Sequence, residues 1–260
     1  TLYACRQKDA ASSLWCIDVE TGEREEIPLG DEYTWIEQPA VSPRGILAVI
    51  ASGPRTPKRV LAIDLATLKA RCLARTTGET VPPEALSLPQ NIRWLAEGGQ
   101  EVYGLYYPPT NTRYTGTGKP PLIVQVHGGP TGQSVMTYSA SAQFFATRGY
   151  AVLEVNYRGS SGYGRAYRNL LRGMWGIYDA DDAVAGARHL CAQGLADPER
   201  MVIMGGSAGG YTVLQALIRY PHIFKAGICS FGVTNLFTLA AETHKFEQHY
   251  LDSLVGPLLS

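Results

Sequence analysis

The amino-acid sequence predicts a protein of the α/β class, in which a doubly wound sheet follows a shorter antiparallel β-region. Apolar runs of strand length alternate with stretches of helical length after residue 120, and short strands with Gly, Pro and Asp turns fill the first third. Strands that alternate with helices form parallel sheets. Of the 260 residues, 45% are hydrophobic, which is enough for a large core.

The first part of the chain is predicted to consist of antiparallel propeller blades. Runs 13–23 and 59–67 end in similar Asp-containing turns, and run 39–50 lies between them. Such short, evenly spaced strands are typical of a β-propeller, and the segment has room for about two blades. Two blades alone would leave open edges and little core. We therefore interpret 1–84 as the C-terminal part of a propeller and 85–260 as the start of a second domain; a small independent β-domain is the alternative.

The second domain is predicted to alternate strands and helices after an antiparallel pair of strands at 91–107. In chain order we expect a strand at 121–126, a helix at 140–148, a strand at 150–155, a helix at 178–193, a strand at 201–204, a helix at 208–220 and a strand at 226–230. The carboxyl ends of parallel strands lie at one edge of a sheet, where loops form ligand sites. Motifs that follow these strands are therefore candidate functional loops.

The segment 204–211, with the sequence MGGSAGGY, is the most informative in the chain because it contains the pattern Gly-x-Ser-x-Gly. A strand that reverses sharply into a helix strains the residue at the turn. Gly205 and Gly209 remove the side chains that would clash there. The pattern predicts a nucleophile elbow that lifts the Ser207 hydroxyl above the sheet. A structural or phosphate-binding turn is the alternative.

A second glycine motif, HGGP at 127–130, follows a predicted buried strand. Acyl transfer needs N–H donors that converge on the developing oxyanion. We expect Ala208, directly after the serine, to supply one donor and Gly129 to supply the other, with Gly128 as the second choice. We interpret His127 as a loop histidine bonded to nearby backbone, because a triad histidine follows the nucleophile in this type of fold.

Five sequence blocks carry a family resemblance. They are HGGP at 127–130, NYRGSSGYG at 156–164, WG at 175–176, GGSAGGY at 205–211 and FGVTNL at 231–236. In this order and spacing they resemble the prolyl oligopeptidase family of serine peptidases, in particular its acylaminoacyl-peptidase and dipeptidyl-aminopeptidase-like branch. The resemblance implies an α/β-hydrolase domain, incomplete at its C-terminus here, after a propeller that admits short or unstructured peptides.

The resemblance further implies a serine peptidase that hydrolyses short aminoacyl, dipeptidyl or acylaminoacyl peptides through an acyl-enzyme on Ser207. The acid and the histidine of the triad follow the serine on later loops in this fold. Three later histidines do not follow the required strand: His222, and His244 and His249 in a predicted helix or lid segment. We expect both triad partners beyond Ser260, and little or no turnover by this chain alone.

Two other functions share these motifs. A carboxylesterase would have the same elbow, but its glycine loop continues with glycine where this chain has Pro130, and a propeller has no place in a simple esterase. A non-catalytic binding protein on the same scaffold is the second alternative, since a fold does not dictate a function. The presence of Ser207 together with both glycine loops argues against the binding protein.

Two further groups of side chains lie at the predicted sheet edge or near it. Three tyrosines are candidates for positioning a substrate, with ordinary packing as the alternative: Tyr157, Tyr163 and Tyr211. Three carboxylates open the predicted helix at 178–193: Asp179, Asp181 and Asp182. We interpret the carboxylates as structural, because a carboxylate near a helix N-terminus stabilises the helix by about 0.3–1 kcal/mol.

Composition limits the partners. With 23 basic and 23 acidic residues the net charge is zero, so we expect no nucleic-acid partner and no anionic membrane. The five cysteines are scattered without metal-ligand spacing, which indicates reduced thiols in a cytoplasmic protein. We expect short peptides as partners and neither metal nor cofactor. Endo- or exopeptidase action and oligomeric state are left open.

Overall fold

The structure is a computed structural model that describes residues 1–242 and 250–256. Its first part contains two antiparallel meanders. The three-stranded sheet comprises β1 (Leu2–Lys8), β2 (Ala11–Ile17) and β3 (Arg24–Ile27), and the four-stranded sheet comprises β4 (Trp35–Val41), β5 (Ile46–Gly53), β6 (Thr56–Asp64) and β7 (Ala70–Arg75). The two sheets share a core that includes Leu14, Ile36, Leu47 and Ile63.

The predicted Asp-containing turns are confirmed. The Asp18 carboxylate accepts hydrogen bonds from the backbone N–H groups two and three residues ahead, at 2.8 and 2.9 Å. Asp64 repeats this arrangement at 2.9 and 3.0 Å. These bonds lower the pKa of both carboxyl groups. Each turn therefore ends one strand and starts the next in the same way.

The second part is a six-stranded sheet in the order β13-β12-β10-β11-β9-β8. The strands are β8 (Gln90–Leu95), β9 (Glu101–Tyr107), β10 (Leu122–Val126), β11 (Ala151–Asn156), β12 (Met201–Gly206) and β13 (Ala226–Ser230). The last four are parallel, whereas β8 and β9 are antiparallel. The predicted alternation of strands and helices and the antiparallel pair are thereby confirmed.

Helices cover both faces of this sheet. They are α1 (Ala140–Ala146), α2 (Gly164–Asn169), α3 (Tyr178–Ala192), α4 (Ala208–Arg219), α5 (Leu236–Glu242) and α6 (Tyr250–Leu254). The side chains of β10 alternate between two cores: Leu122 and Val124 face α3 and α4, whereas Ile123 faces α1. This alternation is expected for a strand that is buried on both faces.

The sheet order places a topological switch point beside β10. The crossover through α1 leads to β11 on one side of β10, and the crossover through α3 leads to β12 on the other side. Val126 at the end of β10 pairs with Gly205 near the end of β12. Loops that leave these two strands therefore meet at one place, which is where open α/β sheets bind ligands.

The segment before α1 joins the two parts of the molecule. The Met136 N–H donates to the Ala10 carbonyl at 2.7 Å, and the Thr34 hydroxyl donates to the Met136 carbonyl. Gln133 bonds Gln7 at 3.0 Å. The predicted domain boundary at residue 84/85 falls between β7 and β8 and stays a prediction. In the part of the chain that the structure describes, no helix is both long and apolar enough to span a bilayer.

Candidate active site

Ser207 occupies the sharp turn between β12 and α4. Its backbone has φ 54° and ψ −122°, a strained conformation for a residue with a side chain. A Cβ atom on Gly205 would lie 2.5 Å from the Gly209 carbonyl oxygen, and one on Gly209 would overlap the carbonyl oxygen of Val126. The turn therefore requires both flanking glycines, as the sequence pattern predicts. The Ser207 residue itself is exposed.

Backbone hydrogen bonds also fix the elbow to the end of β13 and to the segment that follows it. The Ser207 N–H donates to the Ser230 carbonyl at 3.1 Å, and the Ser207 carbonyl accepts from Tyr211 at 3.2 Å and from Val233 at 3.3 Å. Ala208 begins α4, so its N–H has no carbonyl partner inside the helix. The elbow thus presents an exposed hydroxyl and an adjacent N–H group at the start of a helix.

The HGGP loop lies directly against this elbow. A Cβ atom on Gly128 would be 3.5 Å from the Ser207 Cβ and 3.9 Å from the Ala208 nitrogen. Gly129 has φ 125°, which favours glycine, and its N–H has no partner among the described residues. The structure thus brings Ser207 and Ala208 next to Gly128, the residue that precedes Gly129. Such an arrangement suits nucleophilic attack on a carbonyl with N–H stabilisation of the oxyanion.

His127 is hydrogen-bonded to its own loop and to Ser160. Its Nδ1 is 2.8 Å from the Gly128 carbonyl oxygen, and its Nε2 is 2.8 Å from the Ser160 hydroxyl. Burial lowers the pKa of His127 to about 4, because the imidazolium loses hydration there. The prediction of a loop histidine bonded to nearby backbone is confirmed.

The block at 156–164 is hydrogen-bonded to the segment 131–134, which directly follows the HGGP loop. The Ser161 hydroxyl donates to the Thr131 carbonyl at 2.6 Å. The Asn156 amide exchanges two bonds with the backbone of Ser134, at 2.7 and 2.9 Å. These contacts join positions about 20–30 residues apart. The sequence pattern could therefore predict that both segments lie at the sheet edge, but not which residues bond each other.

Tyr157 is completely buried beneath the HGGP loop. Its hydroxyl donates to the Pro130 carbonyl at 2.5 Å, and its ring stacks on the His127 ring with centroids 4.4 Å apart. Burial raises the pKa of its phenol, so the hydroxyl stays a donor. An effect of Tyr157 on a substrate would therefore pass through the loop, and its predicted positioning role stays a prediction.

The two other candidate tyrosines are half-buried in aromatic contacts. Tyr163 stacks on Tyr103 with centroids 4.4 Å apart and accepts a hydrogen bond from Asn156 at 2.9 Å. Tyr211 packs against Trp175 at 5.0 Å, one helical turn after Ser207. Substrate contact by either ring stays a prediction.

Tyr250 is a residue that the sequence motifs did not single out. Its hydroxyl lies 2.6 Å from the Thr131 hydroxyl and accepts from the Thr131 N–H at 3.3 Å. The start of α6 thereby contacts Thr131, the residue directly after the HGGP loop. The tyrosine lies more than 110 residues from Thr131 in sequence, so no local pattern could have identified it.

The three carboxylates of α3 have separate structural partners. Asp179 is buried, accepts from the Gly176 N–H at 2.6 Å and also accepts from the Thr212 hydroxyl. Burial raises the pKa of Asp179 to about 6. Asp182 forms a buried ion pair with Arg158 at 2.7 Å, whereas Asp181 pairs with the partly exposed Arg219. Among the described residues, no group of three or more potential ligand side chains could hold a metal.

The described histidines do not contact the Ser207 hydroxyl. His222 is exposed beyond the end of α4. His244 and His249, and most of the helix or lid segment predicted around them, lie outside the described residues. The general base that the elbow needs is therefore not among the described contacts of this chain.

Comparison with known proteins supports the resemblance drawn from the sequence blocks. The model of the prolyl oligopeptidase family matches residues 136–257. Dipeptidyl aminopeptidase BIII of Pseudoxanthomonas mexicana is 37% identical over 134 residues, which make up 52% of this chain and 19% of that protein. The acylamino-acid-releasing enzyme of Arabidopsis thaliana is 32% identical over 150 residues, or 57% of this chain and 20% of the enzyme.

Solved structures match both parts of the chain at once. A puromycin hydrolase structure covers 95% of the chain with TM-score 0.88 and 36% identity, and the chain spans 37% of it. The Pyrococcus horikoshii acylaminoacyl peptidase covers 98% with TM-score 0.81 and 26% identity, and the chain spans 39% of it. The predicted fold class, propeller blades followed by an α/β-hydrolase sheet, is confirmed. The match of residues 136–257 to the prolyl oligopeptidase family and the relatives described above confirm the resemblance to that family, and four of the five sequence blocks lie inside the matched residues.

Proposed function

We propose that the full-length protein containing this chain is a serine peptidase that hydrolyses short peptides through an acyl-enzyme on Ser207. The observation that carries the proposal is the strained, exposed serine with Gly128 packed against it and against the Ala208 nitrogen. We propose the N–H groups of Ala208 and Gly129 as the two oxyanion donors. The family match supports the chemistry, and the chain spans 37–39% of the two solved structures described above.

The proposed reaction follows from these positions. A general base outside the described residues accepts the Ser207 proton as the oxygen attacks the carbonyl carbon of the scissile bond. The N–H groups of Ala208 and Gly129 stabilise the tetrahedral oxyanion, and the protonated base then delivers its proton to the leaving amine. Water attacks the resulting ester by the reverse sequence of proton transfers and frees the serine.

The relatives suggest the substrate class. Their names describe release of dipeptides or acylated amino acids and hydrolysis of puromycin. We therefore propose short aminoacyl, dipeptidyl or acylaminoacyl peptides as substrates, with neither nucleic acid nor membrane as a partner. The net charge of zero and the free cysteines of the chain support a cytoplasmic protein with reduced thiols.

The test uses the full-length protein and two serine variants. Ser207→Ala should abolish hydrolysis of aminoacyl, dipeptidyl and acylaminoacyl chromogenic amides and should also abolish labelling by a fluorophosphonate. Ser87→Ala is a matched control, because Ser87 is buried and donates to the Pro108 carbonyl at 2.6 Å. It should retain both signals.

The alternatives predict different results. Turnover of esters without turnover of amides would favour the carboxylesterase. Failure of the unmodified protein to react with the fluorophosphonate would favour a binding protein on this scaffold. Turnover by the 260-residue chain alone, at a rate typical of serine peptidases, would show that this chain contains its own general base, contrary to the expectation from the sequence.

A further inference from the structure

The peptide unit between Gly128 and Gly129 decides where the candidate oxyanion donor points. A trans peptide is planar, and its C=O and N–H point in opposite directions, so fixing one group fixes the other. Glycine on both sides removes the side-chain clashes that normally restrict rotation of this unit. Without an external restraint, the Gly129 N–H could turn away from the Ser207 elbow.

The His127 ring provides such a restraint through its Nδ1 atom. Nδ1 lies 2.8 Å from the Gly128 carbonyl oxygen. A carbonyl oxygen can only accept, so this contact requires a proton on Nδ1. Among the described residues, no other donor reaches this carbonyl. The ring therefore holds the C=O end of the same peptide unit whose N–H end is the candidate donor.

Ser160 selects this protonation state of the ring. Its hydroxyl lies 2.8 Å from Nε2 and 2.7 Å from the Tyr157 carbonyl, and it has one proton to donate. The Tyr157 carbonyl already accepts a hydrogen bond from the Ser160 N–H at 2.9 Å. The lone pair on Nε2 has no other donor among the described residues, so we assign the hydroxyl proton to Nε2. Donation to Nε2 leaves Nδ1 as the protonated nitrogen.

The surroundings hold the ring neutral and in place. Burial lowers the pKa of His127 to about 4, and Ser160 is completely buried. The Tyr157 ring stacks under the imidazole at an interplanar angle of 19°. Both ring nitrogens are thus engaged by Gly128 and Ser160, which leaves neither available as a base for Ser207.

We propose that His127, held by Ser160 as the neutral Nδ1–H tautomer, is the positioning residue that orients the Gly128–Gly129 peptide and so directs the Gly129 N–H toward the oxyanion. This inference rests on the proposed function for its catalytic consequence. The tautomer itself does not depend on that function and can be measured separately.

The first experiment reads the tautomer in the full-length protein labelled with 15N-histidine. Two-bond proton–nitrogen correlations distinguish Nδ1–H from Nε2–H, and the His127→Asn variant identifies the signal. We expect the Nδ1–H form in the unmodified protein and a mixture of tautomers in Ser160→Ala. A predominant Nε2–H form in the unmodified protein would overturn the inference.

The second experiment separates positioning from general stability. His127→Phe keeps an aromatic ring on Tyr157 but removes both hydrogen bonds. We expect kcat to fall about tenfold to a hundredfold with KM nearly unchanged, somewhat less than the effect of deleting an oxyanion donor. Affinity for a peptidyl trifluoromethyl ketone, which forms a tetrahedral adduct on serine, should fall by a similar factor.

Companion variants keep the result interpretable. Ser160→Ala should lower kcat less than His127→Phe does, and His127→Asn, which retains an N–H donor near the Nδ1 position, should recover part of the loss. An unchanged kcat in both His127→Phe and Ser160→Ala, with Ser207→Ala inactive, would refute the positioning role alone. Activity that survives Ser207→Ala would instead refute the proposed function.

Discussion

Two glycine-rich loops meet at the same edge of the sheet, but the structure holds them in different ways. The elbow at Ser207 is held by its own backbone, through β12 before it, α4 after it and hydrogen bonds to Ser230 and Val233. The HGGP loop is held by side chains from elsewhere, among them Tyr157 and Ser160. We therefore expect substitutions to disrupt the elbow through steric overlap and to disrupt the HGGP loop through the loss of individual hydrogen bonds.

The largest effect is expected at the buried ion pair between Asp182 and Arg158, a residue of the block at 156–164. Asp182 accepts from both the backbone N–H and the guanidinium of Arg158, and both side chains are buried. Asp182→Ala should lower the free energy of unfolding by about 3–5 kcal/mol, because it leaves a buried charge unpaired. Thermal or denaturant unfolding of the full-length protein measures this loss.

Asp181→Ala provides the control on the same helix. Its partner Arg219 has a side chain that is 36% exposed, so the substitution should cost no more than about 1 kcal/mol. Equal losses for Asp181→Ala and Asp182→Ala would contradict the view that the buried pair supports the block at 156–164.

The next largest effect tests the steric limit of the elbow. In Gly209→Ala the new methyl group would overlap the carbonyl oxygen of Val126 in β10, and a central strand cannot move away easily. We expect a loss of about 2–3 kcal/mol in stability and slower fluorophosphonate labelling of Ser207. Gly116→Ala is the matched control, since a Cβ atom there has no neighbour within 4 Å. A labelling rate that Gly209→Ala leaves unchanged would contradict the steric account.

A smaller effect distinguishes the HGGP loop from the rest of the core. Tyr157→Phe leaves the Pro130 carbonyl without its donor at 2.5 Å and should cost about 1–2 kcal/mol in stability, with a several-fold fall in kcat. Tyr167→Phe removes a similar buried bond, to the Asn156 carbonyl at 2.8 Å in β11. It should match the stability loss but leave kcat unchanged. If both variants lower kcat equally, the contact with the HGGP loop has no special role.

The smallest effect concerns the contact between Ser139 and Glu154, at the end of the segment that joins the HGGP loop to α1. Ser139, the N-cap of α1, donates to buried Glu154 at 2.9 Å, and burial raises the pKa of Glu154 from 4.5 to about 7. The native state then binds more protons than the unfolded state between these values. This contribution to stability is present at low pH and is lost as the pH rises, by about 1 kcal/mol between pH 6 and 8.

Glu154→Gln removes this titration while it keeps an acceptor for Ser139. The unfolding free energy of the variant relative to the unmodified protein should therefore increase by about 1 kcal/mol from pH 6 to pH 8. Other titrating groups cancel in the difference. A difference that is constant with pH would show that Glu154 titrates near its ordinary pKa in the folded state.

Local patterns were sufficient to predict the elbow and the main elements around it. The predicted bounds of β13 agree with the structure, and α4 ends one residue before the predicted end. β12 extends two residues past the predicted end because Gly205 and Gly206 continue to pair with β13. Each of these features depends on apolar periodicity or glycine placement within about ten residues, which a sequence records directly.

Other elements depend on contacts that a sequence does not record. β3 and β7 carry charged, mostly exposed side chains without apolar alternation, and their positions follow from pairing with β2 and β6. α2 is a short, arginine-rich segment secured mainly through Tyr167. For the same reason, the side chains that hold the HGGP loop could not be assigned from motifs: their partners lie in other blocks of the chain.

The pairing of Val126 with Gly205 also has a consequence for the order of folding. Joining β10 to β12 closes a loop of about 80 residues, which costs on the order of 4 kcal/mol in chain entropy, whereas β10 and β11 can pair earlier through a shorter crossover. We expect the reactive serine to appear late in refolding, after most of the helical signal, and pulse labelling with a fluorophosphonate can time it. A newly made chain would thus carry no reactive nucleophile until its central sheet is complete.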